Sequence, residues 1–234
     1  MSEDTIGSAG TRQEAPELAR RRFLTTIGAV ATVCLSGYGL NAVVDSFPIS
    51  AGELDLDLAA KTYGSDIVLG SRAAAVTVVE YASLTCVHCA RFHTQSLPAF
   101  VDRWVAPGKV RLVFRHFPLD STALSVASMV SCLPEGDRAD AVARLMAAQS
   151  SWMAVGDPGE AAAGLLSVSG QAASRCLSDL DKQRSVLVPV SEARRAGIAS
   201  TPTFVIGRRP YVGFMSSDAL GAIVERELAA RELA

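Results

Sequence analysis

The sequence predicts an α/β fold interrupted by an all-helical insertion, and three observations predict it. A β-branched, almost continuously apolar run, Val76-Thr77-Val78-Val79-Glu80-Tyr81, leads into a Cys-Val-His-Cys motif at residues 86–89 that opens a helical pattern. A second apolar run, Val110-Arg111-Leu112-Val113-Phe114-Arg115, follows, giving strand, helix and strand with a chemical motif at the strand-to-helix turn. From about Ser121 to Gly197 the chain is rich in Ala, Ser and Leu with no strand pattern longer than Val186–Val190, before a hairpin and a last helix.

The first 50 residues read as an address. Residues 1–19 are polar, and Arg20-Arg21-Arg22-Phe23-Leu24 opens an uncharged apolar run that lasts to Val44. A basic segment followed by an apolar one is an export signal. The Arg-Arg-x-Phe-Leu pattern is similar to a twin-arginine signal, which carries folded proteins across a bacterial inner membrane. A retained membrane anchor is the alternative, because the run is about as long as a spanning helix and no clean small-residue cleavage site follows it. Either way the rest of the chain lies outside the cytoplasm, in the periplasm. Cys34 falls inside this run and reads as an inert apolar residue.

Residues 51–234 suit one domain. Apolar residues make up 49% of the chain, so the core comes from ordinary burial, and five cysteines are too few to scaffold it. A net charge of −2 offers no basic field for nucleic acid. Leu54-Asp55-Leu56-Asp57-Leu58 alternates as an edge strand or an amphipathic lead-in. After the cysteine motif, Leu97, Phe100, Val101 and Trp104 recur at helical spacing, with Pro98 expected to kink the helix. Helices are predicted over 121–132, 137–154, 158–168 and 170–196, the last split near Pro189. Thr203–Ile206, a turn at Gly207–Pro210 and Tyr211-Val212 read as the hairpin. Ser216 or Ser217 caps a closing helix with Leu220, Ile223, Val224 and Leu228 on one face.

The cysteine pair carries the chemistry. Two cysteines three apart on the first turn of a helix reach each other and close a small disulfide that opens readily. Cys86, at the helix start, lies where free N–H groups and the helix dipole favour a thiolate, and His88 between the cysteines adds a second stabiliser. Cys89 is the more buried partner and resolves the mixed disulfide. Zinc is one competitor, but a lone C-x-x-C flanked by His88 and His93 supplies only half of a tetrahedral site. A purely structural disulfide is the other, and so short a ring is too easily reduced to be a good staple.

The order strand, Cys-x-x-Cys, helix, strand, helical stretch, then Ser200-Thr201-Pro202-Thr203 before a hairpin and a final helix resembles the DsbA family over roughly residues 66–230. That resemblance implies a thioredoxin-like fold with an inserted helical domain at about 121–197, and oxidation of thiols in newly exported proteins. It implies Cys86 as the attacking cysteine, Cys89 as the resolving one and His88 as the thiolate-stabilising histidine. It also implies that Pro202 is cis, although a trans turn proline is the commoner case, and that the backbone of Thr201 pairs with substrate. Glu80 matches an acidic position of the family that exchanges a proton with Cys89; the alternative is a glutamate at the exposed end of the strand. The implied partners are exported proteins with reduced cysteines and a membrane quinone-linked thiol oxidase of the DsbB kind, with no cofactor. Cys132 and Cys176 depart from the simplest members, and an even remainder outside the cytoplasm favours a bridge between them over two buried thiols. Residues 51–65 are too short for the dimerisation domain of the isomerase branch, which favours a monomeric oxidase. A reductase or isomerase, and a non-catalytic chaperone using the groove beside Pro202, are the other readings.

Overall fold

Pairing of the two apolar runs organises the sheet in the computed structural model, which describes residues 60–168 and 170–233. The described residues belong to one compact unit. The export signal or anchor, Cys34 and the 54–58 alternation lie outside the described residues. Strand β2 (Val76–Ala82) runs parallel to β3 (Val110–His116), so Val76 faces Val110 and Glu80 faces Phe114. β1 (Ile67–Leu69) adds antiparallel to β3. The hairpin β4 (Thr203–Ile206) and β5 (Arg209–Val212) adds antiparallel on the other side, giving the order β1-β3-β2-β4-β5. The expected α/β architecture therefore forms, with β2 central and all but one of its residues buried.

The helix after the cysteines departs from its predicted register. It divides into α1 (Val87–Gln95), α2 (Leu97–Phe100) and a π-helical turn over Val101–Val105, closed by Ala106 N–H to the Val101 carbonyl at 2.8 Å. Pro98, which has no N–H, sits in the first turn of α2 just past the break at Ser96. The π turn inserts a residue, so Trp104 and Val105 are both buried while Leu97 and Val101 are only partly so. Phe92, Phe100 and Trp104 pack with Phe204, Leu220 and Val224. A Cβ at Gly221 would lie 2.8 Å from Trp104 Nε1, which is why glycine stands there.

The insertion comprises α3 (Ser121–Cys132), α4 (Arg138–Ala147), α5 (Gln149–Met153), α6 (Pro158–Leu165), α7 (Gly170–Ser178) and α8 (Leu180–Arg195). Two predicted helices are thus four. The 137–154 stretch breaks at Ala148. The 170–196 stretch breaks at Asp179, whose side chain accepts from the N–H groups of Asp181 and Lys182 and so starts a new helix. Pro189, expected to split it, stays inside α8. A proline frees the carbonyl four residues earlier, and that carbonyl, Ser185's, accepts the Ser65 hydroxyl at 2.7 Å. A disulfide joins Cys132 at the end of α3 to Cys176 in α7. Last comes α9 (Ser217–Glu232), capped by Ser216. Among the described residues no helix is long and apolar enough to cross a membrane.

One buried cation ties the leading segment to the sheet. Arg115, 1% exposed, donates to both carboxylate oxygens of Asp66 at 2.8 Å, to the Tyr81 hydroxyl at 3.0 Å and to the Lys61 carbonyl at 2.9 Å. A bidentate pair with its remaining donors satisfied is the arrangement in which a buried charge is tolerated.

Candidate active site

Strand β2 ends at Ala82, and the turn Ser83–Thr85 delivers Cys86 to the N-cap of α1. No side chain caps that helix, so the free N–H groups of its first turn are left for the Cys86 sulfur. Cys86 is 9% exposed and Cys89 is fully buried, and both are free thiols. Across from them the Thr201–Pro202 peptide is cis, and the Pro202 carbonyl accepts the Gly213 N–H at 2.8 Å. The Cys86 thiol donates to the Thr201 carbonyl at 3.3 Å.

The two thiols differ sharply. A hydrogen bond from the Cys89 thiol lowers the Cys86 pKa to about 5; burial opposes it, and hydrogen bonds from Thr201 and the backbone N–H groups of Cys89 and His88 reinforce it. As a thiol Cys86 donates to the Thr201 carbonyl. As a thiolate it accepts from the Thr201 hydroxyl, which is otherwise buried without a partner among the described residues. Burial pushes Cys89 far up, helped by its hydrogen bond to Cys86 and by the charges of Glu80 and Cys86.

The other residues singled out in the sequence fall in different places. The ring of His88 is exposed, and the group it brings to the Cys86 sulfur is its backbone N–H. Glu80 is fully buried on β2 rather than at an exposed strand end, and its Oε2 lies 3.0 Å from Nε2 of His93. Among the described residues no three His, Cys, Asp or Glu side chains cluster to hold a metal ion. Cys132 and Cys176 lie within the insertion and are bonded to each other, leaving Cys86 and Cys89 as free thiols.

Sequence reasoning missed three supports of the site. His93, weighed there only as a metal ligand, stands four residues after Cys89 on the same helix face, a spacing that could have marked it. Gln149 Nε2 donates to the Leu84 carbonyl at 2.7 Å and the Cys86 carbonyl at 3.1 Å, clamping the cysteine turn from the insertion. The Thr85 hydroxyl donates to Asp120, whose other oxygen caps α3. Nothing local marks Gln149 or Asp120, because their partners are far away in sequence.

The profile of a thioredoxin family matches residues 62–226. A Rickettsia typhi protein designated a protein-disulfide oxidoreductase is 36% identical over 72 residues, which are 31% of this chain and 27% of that protein. The chain thus spans about a quarter of the length of the curated relatives it matches. The crystal structure of Wolbachia pipientis alpha-DsbA1 superposes with a TM-score of 0.63 at 26% identity, covering 72% of this chain and 94% of that one. A periplasmic thioredoxin-like protein from Salmonella enterica serovar Typhimurium superposes with a TM-score of 0.57 at 18% identity, covering 71% of this chain and 91% of its own, and shares the fold.

Proposed function

The chain belongs to the DsbA-like thioredoxin family, and from that premise we propose that it is a periplasmic thiol:disulfide oxidoreductase that introduces disulfides into exported proteins through Cys86 and Cys89. The inequality of the two thiols carries this reading. A thiol lowered to about 5 stabilises the reduced form of the pair, which makes its disulfide an oxidant. A substrate thiolate attacks Sγ of Cys86 in the disulfide and forms a mixed disulfide, while the electron pair of the broken bond goes to Cys89. A second substrate thiolate then attacks the substrate sulfur and releases Cys86 as a stabilised thiolate. The backbone at Thr201 and cis-Pro202 faces Cys86 and offers an edge on which an extended substrate can pair. Glu80 serves as the acid–base group for the buried Cys89.

Reoxidation by a membrane quinone-linked thiol oxidase completes the cycle, and the protein acts as a monomer. Three observations support a compartment outside the cytoplasm: the export-type N-terminal sequence, the Cys132–Cys176 bridge and a periplasmic structural neighbour. The decisive measurement is the reduction potential of the Cys86–Cys89 pair, set beside oxidation of a reduced test protein. An oxidase has a potential well above thioredoxin's and loses activity as Cys86→Ser. A potential near thioredoxin's would reassign the protein as a reductase or isomerase, and activity surviving in Cys86→Ser would exclude both.

A further inference from the structure

In the exchange proposed above, on which this inference rests, Cys89 leaves as a thiolate inside the core. Its sulfur is fully buried, and burial makes that thiolate a strong base. A proton must reach it from within the fold.

Glu80 is the buried acid on β2, and its two carboxylate oxygens are not equivalent. Oε2 is held by Nε2 of His93 at 3.0 Å, whereas Oε1 is buried with no partner among the described residues. The His93 side chain is itself only 6% exposed. Its ring is wedged edge-on against Phe92 and Phe114, with centroids 5.7 and 5.5 Å away. Because α1 carries both Cys89 and His93, one turn apart, the helix that places the sulfur also places the imidazole. An ionised Glu80 only accepts, so in that state the proton of the 3.0 Å hydrogen bond is on Nε2 of His93.

We propose that His93 is the positioning residue of the Cys89 proton path: it donates Nε2–H to Oε2 of Glu80 and so leaves Oε1 as the oxygen that exchanges a proton with Cys89. When substrate attacks Cys86, the bond between substrate sulfur and Cys86 forms and the Cys86–Cys89 bond breaks with its electrons on Cys89. The proton on Oε1 passes to the Cys89 sulfur, and the carboxylate left behind keeps the His93 N–H. Re-forming the internal disulfide runs the same steps backward. Among the described residues, the titratable groups near this couple are Cys89 and Cys86 on and before α1, and His116 on β3, whose ring meets Phe114 edge-on at 5.0 Å and which feels the Arg138 charge.

The test measures reduction of the Cys86–Cys89 disulfide of the full chain by β-mercaptoethanol, corrected for the thiolate fraction of that reagent, across the acid-to-neutral range. Glu80→Gln, which has no carboxyl proton to give, is expected to slow the reaction about a hundredfold and remove its acid inflection. His93→Leu is expected to slow the protonated plateau about tenfold and move the inflection upward, since both carboxylate oxygens then lack a donor. His93→Gln restores a donor and recovers most of the rate, and it carries the test if His93→Leu fails to fold. The double variant Glu80→Gln/His93→Leu should be no slower than Glu80→Gln alone, and the ultraviolet titration of the Cys86 thiolate should stay where it is in His93→Leu. An unshifted inflection in His93→Leu, an additive loss in the double variant, or a Gln variant as slow as Leu overturns the proposal. A wild-type pair that does not exchange with thiols at all overturns the exchange reading instead.

Discussion

At the scale of single residues the site depends on proton positions. Titrating reduced protein by thiolate absorbance should give a midpoint near 5 for Cys86, rising in Thr201→Val, which removes the hydroxyl but keeps the carbonyl. The folded-state pKa is depressed, so the stabilisation is full above the ordinary thiol range, falls as pH drops from there, and is gone below about 5. Reduced protein should therefore melt above oxidised protein at neutral pH, with the gap closing toward pH 5; a gap independent of pH would contradict the thiolate assignment. His116 is a second residue with a pH signature. Burial, with the Arg138 charge adding to it, lowers its pKa from 6.5 to about 3, and its Nε2 has no partner among the described residues. The unfolded chain thus binds this proton first, and folding loses up to about 1.4 kcal/mol per pH unit as pH falls below 6.5 toward 3. His116→Leu should flatten that part of the stability-versus-pH curve in urea titrations, while leaving the neutral-pH slope alone.

Elements are held by donors and acceptors brought in from elsewhere. Helix α8 contains Pro189 because Ser65, preceding β1, satisfies the carbonyl that the proline frees. Ser65→Ala should cost about 1–2 kcal/mol in chemical denaturation, the usual penalty for a lost partner at a buried acceptor. With Pro189→Ala the freed carbonyl regains its own helical N–H, so Ser65→Ala should then cost measurably less, and the double-mutant cycle reads the difference. Equal costs in both backgrounds would mean that the hydroxyl does not serve the proline. The segment after α1 obeys the same logic through packing. Its π turn buries both Trp104 and Val105, and Gly221 on α9 makes room for the indole.

For the whole molecule, the Cys132–Cys176 bridge closes a separation of 44 residues within the helical insertion. Loop entropy alone puts its contribution at about 4 kcal/mol, in the range measured for native disulfides. Replacing both cysteines by serine should lower the melting temperature markedly and leave the rate of thiol exchange at Cys86 nearly unchanged. A large loss of exchange would show that the bridge shapes the site. Gln149 and Asp120 give a reason to measure both quantities, since they are the hydrogen bonds through which the insertion holds the cysteine turn. Gln149→Leu leaves the Leu84 carbonyl without that donor and should reduce exchange more than its stability loss alone would explain.

The amino-acid order by itself determined the strands around the cysteine pair, the hairpin, the helical character of the insertion and the family, because these rest on short-range periodicity and contiguous motifs. Cys86, Cys89 and the Thr201-Pro202 element stand out for the same reason: a reactive pair at a helix start and a proline before a strand are local statements. Only the tertiary structure decided that 170–196 breaks at Asp179 rather than Pro189, since the acceptor the proline frees is satisfied from 120 residues away. Tertiary structure alone likewise brought Gln149 to the Cys86 carbonyl and paired Glu80 with His93. Burial creates those roles. A carboxylate or amide acquires a distinct chemical task when water is removed from around it, and which groups lose their water depends on how distant segments pack.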